Sequence, residues 1–333
     1  MRAAYPLYTA TTAVSARTET RTANPQRPQE RYHRRMITTP LLTESPAALA
    51  ALARVEVLYT DLDGTLLAPG GTLLSDAAGA PSSATADAIV ALRRAGVTVV
   101  PISGRTRMQL TELARLLGWS DFLAEMGCVM VHGAGPGRVI RYNTGSWPEG
   151  LLRDGQTPYQ AILDSGALAA LQQAFPGRLE YHTPWHHGRE ATHLLRGCVD
   201  CAMAQTVLDA LALPVEILDN GLVHPPSHGL ACLDSIHAYH LVPAGASKAQ
   251  ALALDLVSRG LSRENAAAIG DSSTDLAMSA SVGVTALVAN AFGSEELHEA
   301  LTLYTAQTVV RLEGERGEGW VQLADAWLEA IRV

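Results

Sequence analysis

The run Val55-Glu56-Val57-Leu58-Tyr59-Thr60-Asp61-Leu62-Asp63-Gly64-Thr65 decides the fold. Val55–Tyr59 is short, mostly apolar and β-prone, so it reads as a buried strand that ends at Thr60-Asp61. Two carboxylates separated by one leucine then lead into Gly64-Thr65. Asp and Gly favour turns, and taken alone the run is also explained as a capped turn. Yet the carboxyl end of a strand is where an open α/β sheet binds its ligands.

Outward from this strand, the pattern alternates. A short Ala/Leu-rich helix is expected near residues 45–52. Downstream, Gly70-Gly71 and Pro81 mark a loop, and a helix runs from a Ser82/Ser83 cap through Ile89 and Leu92 to Gly96. Val97–Ile102 is the next strand and ends at Ser103-Gly104. A helix carrying Leu110, Leu113 and Leu117 leads to a third strand around Phe122–Ala124. Such alternation implies a parallel sheet covered on both faces.

From about Asn143 the texture changes to Gly, Pro, Trp and His, as in Ser146-Trp147-Pro148 and Thr183-Pro184-Trp185-His186-His187-Gly188. Helices near Leu168–Phe175 and Ala202–Leu211 flank a strand at Thr192–Val199. Another strand at Val215–Leu218 precedes an Asn220-Gly221 turn. The alternation resumes with a strand at His237–Val242, a helix at Ser247–Ser258 stopped by Gly260, and a strand at Ala266–Ile269. A helix through Met278 and a strand at Thr285–Val288 follow. The expected class is therefore α/β, a doubly wound parallel-sheet core with a smaller inserted α/β domain. The core is expected at 45–142 and 236–333, the insertion at 143–235, and a disordered extension at 1–44.

Composition sets limits. A chain of 333 residues with 47% hydrophobic and 17% charged residues can bury a sizeable core. Its net charge of −8 argues against a nucleic-acid partner, and no apolar run is long enough for a membrane span. Residues 1–35 hold seven arginines against two glutamates with no periodicity. That composition resembles an organelle leader, but Met36 at the junction and the Lys-poor usage favour a mis-assigned start or a floppy tail. The cysteines Cys128, Cys198, Cys201 and Cys232 do not suggest a disulfide framework, which fits a reducing cytoplasm. Cys198 and Cys201, with His182, His186, His187 and His193 nearby, have the makings of a metal site, though incidental cysteines at a helix start are the simpler account.

Lys248 is the only lysine in the chain. Where arginine has replaced lysine everywhere else, the exception points to a task that needs a compact ammonium on a flexible stem. It belongs to one of four groups that fall at strand ends or helix starts: Asp61-Leu62-Asp63-Gly64-Thr65, Ser103-Gly104-Arg105, Ser247-Lys248, and Gly270-Asp271-Ser272-Ser273-Thr274-Asp275. Each has a structural explanation by itself, as a turn, a helix cap or a surface charge. Their conjunction does not. Four carboxylates gathered at one edge require neutralising cations, and Mg²⁺ prefers oxygen ligands in the company of phosphate.

These four motifs, over about residues 54–330, resemble the haloacid dehalogenase superfamily of phosphohydrolases. The insertion resembles the larger α/β cap of its subclass IIB, which includes Cof-like, sucrose-phosphate and mannosyl-phosphoglycerate phosphatases. Val288-Ala289-Asn290-Ala291 and Gly317-Glu318-Gly319-Trp320-Val321 are similar to late core segments of that subclass. The resemblance implies a Rossmann-like core and a Mg²⁺-dependent phosphomonoester hydrolase acting through an aspartyl-phosphate. It implies Asp61 as nucleophile and Asp63 as general acid and base. Ser103, Gly104 and Lys248 would bind phosphate. Mg²⁺ would be held by Asp61, the Asp63 backbone carbonyl and Asp271, with Asp275 supporting through water or orienting Lys248. Thr274 departs from the asparagine common before the last acid, and Glu125-Met126-Gly127 stands where relatives carry Glu-Asn-Gly.

The cap is expected to set specificity through His186, His187, Arg189, Glu190, His193 and Arg196, polar groups suited to hydroxyls or carboxylates or to a solvated surface. The expected partner is a small phosphorylated metabolite, most simply a sugar phosphate. A phosphomutase shares the same intermediate, and a catalytically silent phosphometabolite-binding regulator is the alternative from another class. Retention of Asp61, Asp63, Lys248 and Asp271 together argues against the silent regulator.

Overall fold

The computed structural model describes residues 39–224, 228–231, 235–303 and 308–332. The expectations for residues 1–38 and for Cys232 lie outside these residues. In chain order the strands are Val57–Thr60 (β1), Thr98–Pro101 (β2), Phe122–Ala124 (β3), Val129–His132 (β4), Val139–Tyr142 (β5), Leu179–Tyr181 (β6), His193–Gly197 (β7), Val215–Leu222 (β8), His237–Pro243 (β9), Ala266–Gly270 (β10), Val284–Leu287 (β11) and Val309–Arg311 (β12). The helices are Pro46–Leu52 (α1), Ala84–Arg94 (α2), Arg107–Leu117 (α3), Pro158–Asp164 (α4), Ala167–Ala174 (α5), Cys201–Leu208 (α6), Lys248–Arg259 (α7), Ser273–Leu276 (α8), Glu295–Leu303 (α9) and Arg316–Ala330 (α10).

The core sheet has the order β12-β11-β10-β1-β2, all parallel. A parallel bridge between Ile102 and Leu123 sets β3 beside β2. Strand β1 is buried along its whole length because both faces are covered. Leu58 packs in a cluster with Leu52, Leu92, Trp320 and Leu323, whereas Val57 and Tyr59 pack with Leu252 and Leu256 of α7. Trp320 Nε1 donates to Thr60 Oγ1 at 3.1 Å and Trp327 Nε1 donates to the Val55 carbonyl at 3.2 Å, pinning α10 to this strand. The doubly wound core is thus as expected. Strands β1 and β10 are neighbours across which the chain changes direction, the place where such sheets open a crevice.

Two departures concern pairing. The strand His237–Pro243 does not return to the core: it pairs antiparallel with both β7 and β8 in a four-stranded sheet of order β6-β7-β9-β8. The inserted sheet therefore includes β9, and the expected boundary at residue 236 falls eight residues early. A β-prone run shows that a strand forms, not which strand it joins. Likewise Phe122 begins a three-stranded antiparallel unit, β3-β4-β5, of which only its first strand is evident from the sequence. The Asn220-Gly221 turn lies within β8, as an irregularity in register between Asp219 and Leu222.

Helices α4, α5 and α6 cover one face of the inserted sheet through Ile162, Leu168, Leu171 and Leu208 against Leu195, Ile217, Tyr239 and Leu241. Side chains alternate across a strand. Leu194, Ala238 and His240 therefore point away from those helices. No described helix is long and apolar enough to cross a membrane. Cys198 is disulfide-bonded whereas Cys128 and Cys201 are free thiols, so cysteine usage does not argue for a reducing compartment.

Candidate active site

Strand β1 delivers Asp61 into the crevice, its backbone N–H still donating to the Ile269 carbonyl at 3.0 Å in the sheet ladder. The chain then turns at Gly64, whose φ of +89° is left-handed. A Cβ there would collide with the Asp271 carboxylate, so only glycine lets the two acidic loops approach. Asn290 ties the same loops together. Its amide donates to the Gly64 carbonyl at 2.9 Å and to Asp271 Oδ2 at 3.3 Å.

Lys248 enters from the first turn of α7, after Ser247, which caps the helix by accepting from the Gln250 N–H. The ammonium is buried and donates to Asp61 Oδ1 at 2.7 Å and Asp275 Oδ1 at 2.8 Å. Asp275 is fully engaged, because its other oxygen accepts from the Asp271 and Ser272 N–H groups and the Ser272 hydroxyl. That pattern suits orienting Lys248 more than ligating a metal. Ser103 and Gly104 stand at the end of β2, with Ser103 buried beside the same cavity. All four sequence motifs therefore meet.

Asp61, Asp271 and Asp275 each place a carboxylate oxygen within 4.8 Å of the others. Burial pushes the Asp61 carboxyl well above the usual range, against the pull of Lys248, with Asp275 and Asp271 adding to the rise. Asp271 is pushed up to about 6, first by burial and then by Asp275. Burial works against the charged form of Lys248, but Asp275 and Asp61 outweigh it and hold the ammonium above its ordinary range. One ammonium faces three carboxylates, which leaves excess negative charge on hard oxygen donors. This donor set fits Mg²⁺.

Asp63 behaves differently. Its side chain is 55% exposed and is gripped by Arg105, with Nε to Oδ2 at 2.8 Å and Nη2 to Oδ1 at 2.5 Å. Ser-Gly-Arg marked the loop in the sequence, but nothing there assigned its arginine to Asp63.

Above these groups lies a cavity of 630 Å³ between the core and the inserted sheet. Of the six cap candidates, only Arg189 lines it. His186 stacks on Tyr181 and lies against His187, both away from the lining. Glu190 accepts from Arg107 Nε at 2.9 Å. His193 sits on the helix-covered face of β7, where its Nε2 lies 2.9 Å from the Tyr159 carbonyl. Arg196 pairs with Glu180 at 2.7 Å. The residues that do line the cap side include His182, Trp185, Asn220 and His240, none of which is among the specificity candidates read from the sequence.

Glu125 is a further group whose role the sequence did not disclose. Fully buried, it accepts from the N–H groups of Glu190, Ala191 and Thr192 at 2.8, 3.1 and 2.9 Å, and from the Thr192 hydroxyl at 2.9 Å. A core carboxylate thus clamps the cap segment that carries Arg189. Its backbone and that of Met126 are left-handed, at φ of 52° and 61°, a feature not legible in the residue types.

Residues 233–308 match the model of the haloacid dehalogenase-like hydrolases. The chain is 27% identical over 241 residues to a phosphoglycolate phosphatase of Metallosphaera sedula, covering 71% of this chain and 86% of the relative. It is 26% identical over 240 residues to a phosphoglycolate phosphatase of Methanoculleus marisnigri, covering 71% and 85%. Among solved structures, the sucrose-phosphatase of Synechocystis, determined with sucrose and phosphate, superposes with a TM-score of 0.53 at 16% identity over 81% of this chain and 97% of that one. That likeness concerns the fold. With the motifs converging on one crevice, the chain is similar over residues 233–308 to the haloacid dehalogenase-like hydrolases, resembles the two named phosphatases in sequence, and shares its fold with a phosphatase of the kind that has an inserted α/β cap.

Proposed function

We propose that the chain is a Mg²⁺-dependent phosphomonoesterase working through an aspartyl-phosphate, with Asp61 as nucleophile and Asp63 as acid and base. The observation that carries this reading is the placement of Lys248 between Asp61 and Asp275, with Asp271 alongside, at the carboxyl ends of β1 and β10. Asp61 attacks phosphorus, the ester P–O bond breaks, and Asp63 gives its proton to the departing alkoxide. Asp63 then takes a proton from water, which attacks phosphorus and frees Asp61 and inorganic phosphate. Splitting the displacement in two is the advantage of a covalent route. Lys248, Ser103 and Gly104 hold the phosphoryl oxygens in a dry, pre-organised setting. Bound Mg²⁺, held by Asp61, Asp271 and the Asp63 backbone carbonyl, supplies countercharge to those oxygens. Asp63 cannot donate while Arg105 occupies both its oxygens, so the acid step requires that pair to open.

The substrate in this reading is a small phosphorylated metabolite. A sugar phosphate and the phosphoglycolate for which the curated relatives are named both suit a cavity of 630 Å³. The direct experiment is phosphate release from a series of small phosphomonoesters, with Mg²⁺ and with chelator. Turnover should require the metal and return on its re-addition; full activity in excess chelator would remove Mg²⁺ from the proposal.

Asp63→Asn should lower turnover of alkyl phosphates by roughly 10²–10⁴-fold. Aryl phosphates, whose leaving groups need less protonation, should lose less. Equal losses on both substrate types would deny Asp63 the acid role.

A further inference from the structure

We infer that Arg189, a cap residue, is a positioning residue for phosphoryl transfer: by holding the Gly104 carbonyl it aims the Ser103 hydroxyl at the phosphoryl oxygens. The inference rests on the phosphomonoesterase reading and gives the cap a part in the phosphoryl step itself.

All three carbonyls of the Ser103-Gly104-Arg105 loop are held from outside it. Ser103 accepts from the Met126 N–H at 3.0 Å, and Arg105 accepts from the Glu125 N–H at 2.9 Å. The left-handed backbone of Glu125 and Met126 turns these two successive N–H groups onto one loop. Such conformations persist only where the surroundings over-determine them. The carbonyl between the two is that of Gly104, and its donor comes from the cap, Arg189 Nη2 at 3.0 Å.

A planar trans peptide points its N–H away from its C=O. Holding the Gly104 carbonyl towards the cap therefore turns the Arg105 N–H the other way, where it donates to Ser103 Oγ at 3.2 Å. With that oxygen accepting from Arg105, its proton remains to be donated, and nothing among the described residues accepts it. Ser103 is 2% exposed and borders the cavity. A buried hydroxyl with an uncommitted proton at this edge is a pre-organised donor for a phosphoryl oxygen.

Arg189 is itself held in place. The Thr192 hydroxyl accepts from Arg189 Nη1 at 2.9 Å and donates to Glu125 Oε2 at 2.9 Å, while the Trp185 carbonyl accepts from Nε at 3.3 Å. Between them in the chain, Ala191 is fully buried in the cluster that contains Ala124 and Val129 of the core. The bonds thus run from Glu125 to Thr192, Arg189, Gly104 and, through the Arg105 N–H, Ser103. They leave the core, cross the cap and return to the core. A planar fork spans Thr192 and Gly104 at once, which a single ammonium does not. Gly104 has little slack, since a Cβ there would stand 3.2 Å from His240 Nε2 and 3.4 Å from Met126 Sδ. Without residues 189–192 seated, the Gly104 peptide is free to turn and the Ser103 proton loses its aim.

The test is a double-mutant cycle read by turnover and by inhibition with inorganic phosphate, which has no leaving group and so reports on the phosphoryl site alone. With Mg²⁺, Ser103→Ala should lower kcat by roughly 10²-fold and Arg189→Met by roughly tenfold or more. The Arg189→Met loss should be the same for alkyl and aryl phosphates, and the Ki of phosphate should rise with it. In the Ser103→Ala background Arg189→Met should cost less than about twofold, because no hydroxyl is left to aim. Arg189→Lys keeps the charge without the fork and should restore little. Thr192→Val changes a residue that does not line the cavity, and should reproduce the effect at smaller size, also only when Ser103 is present. Additive losses, an unchanged phosphate Ki, a loss confined to one type of leaving group, or wild-type turnover in Arg189→Lys would each overturn the positioning role while leaving the phosphatase standing. Absence of Mg²⁺-dependent hydrolysis of any small phosphomonoester by the wild type would instead overturn the reading on which it rests. Far-UV circular dichroism and melting establish that the variants are folded, and the Thr192→Val cycle decides the matter should Arg189→Met not fold.

Discussion

Asp61→Asn is expected to abolish phosphate release, by about 10⁴-fold or more, in a protein that still folds. The amide has nearly the volume of the carboxylate but no charge with which to attack phosphorus, and among the described residues no other carboxylate is placed to substitute. Asp271 is tied to Thr65 and Asn290, Asp275 is spent on Lys248 and the Ser272 turn, and Asp63 is turned towards Arg105. The stability of this variant carries a second expectation. The folded Asp61 carboxyl is held above its usual range chiefly by burial, so its ionised form at neutral pH opposes folding when no cation is bound. Removing that charge should leave the metal-free variant melting no lower than the wild type, and should shrink the rise in melting temperature that Mg²⁺ produces. Normal turnover by Asp61→Asn would reject the nucleophile assignment outright.

Lys248→Met should fail on both counts. It leaves Asp61, Asp271 and Asp275 within 4.8 Å of one another with no ammonium between them. Breaking a buried ion pair by removing one partner typically costs 3–5 kcal/mol, so a drop in denaturation midpoint of about that size is expected. Activity should fall by roughly 10²–10³-fold, the usual loss for a donor aimed at developing negative charge. Lys248→Arg is the sharper comparison. The Lys248 side chain is only 5% exposed, and its compact ammonium sits 2.7 and 2.8 Å from two acids. A longer, planar guanidinium cannot make both contacts without displacing the acids, so charge alone should not restore turnover. Wild-type kcat/KM in Lys248→Arg would show that the lone lysine is incidental.

The core site was largely legible because its residues are bound to local signals. A strand that ends in Asp61, a loop at Ser103, a cap at Ser247 and a Gly270-Asp271 turn each follow from short-range pattern, and parallel strands carry all such ends to one edge. The cap was not legible in the same way. His193 and Leu194 are neighbours, yet alternation sends one to the helices and the other to the cavity. Which of them faces the site depends on which side of the sheet the helices occupy. His240 went unnoticed for a related reason: its strand, β9, reads from the sequence as part of the core.

What the sequence by itself determined, then, is the order of strands and turns around Val55–Thr65, the convergence of Asp61, Ser103, Lys248 and Asp271, and through them the class of chemistry. Tertiary structure alone decided the rest. It placed β9 in the cap, set Glu125 to clamp residues 190–192, turned Asp63 onto Arg105, and left Arg189 as the buried cation facing the acids. The physical reason is separation along the chain. The strand-end motifs are set by contacts a few residues apart and by the common direction of parallel strands. The cap wall is assembled from residues 182–194 and residues 238–240 and clamped by Glu125 of the core, a relation that exists only once the inserted sheet has formed.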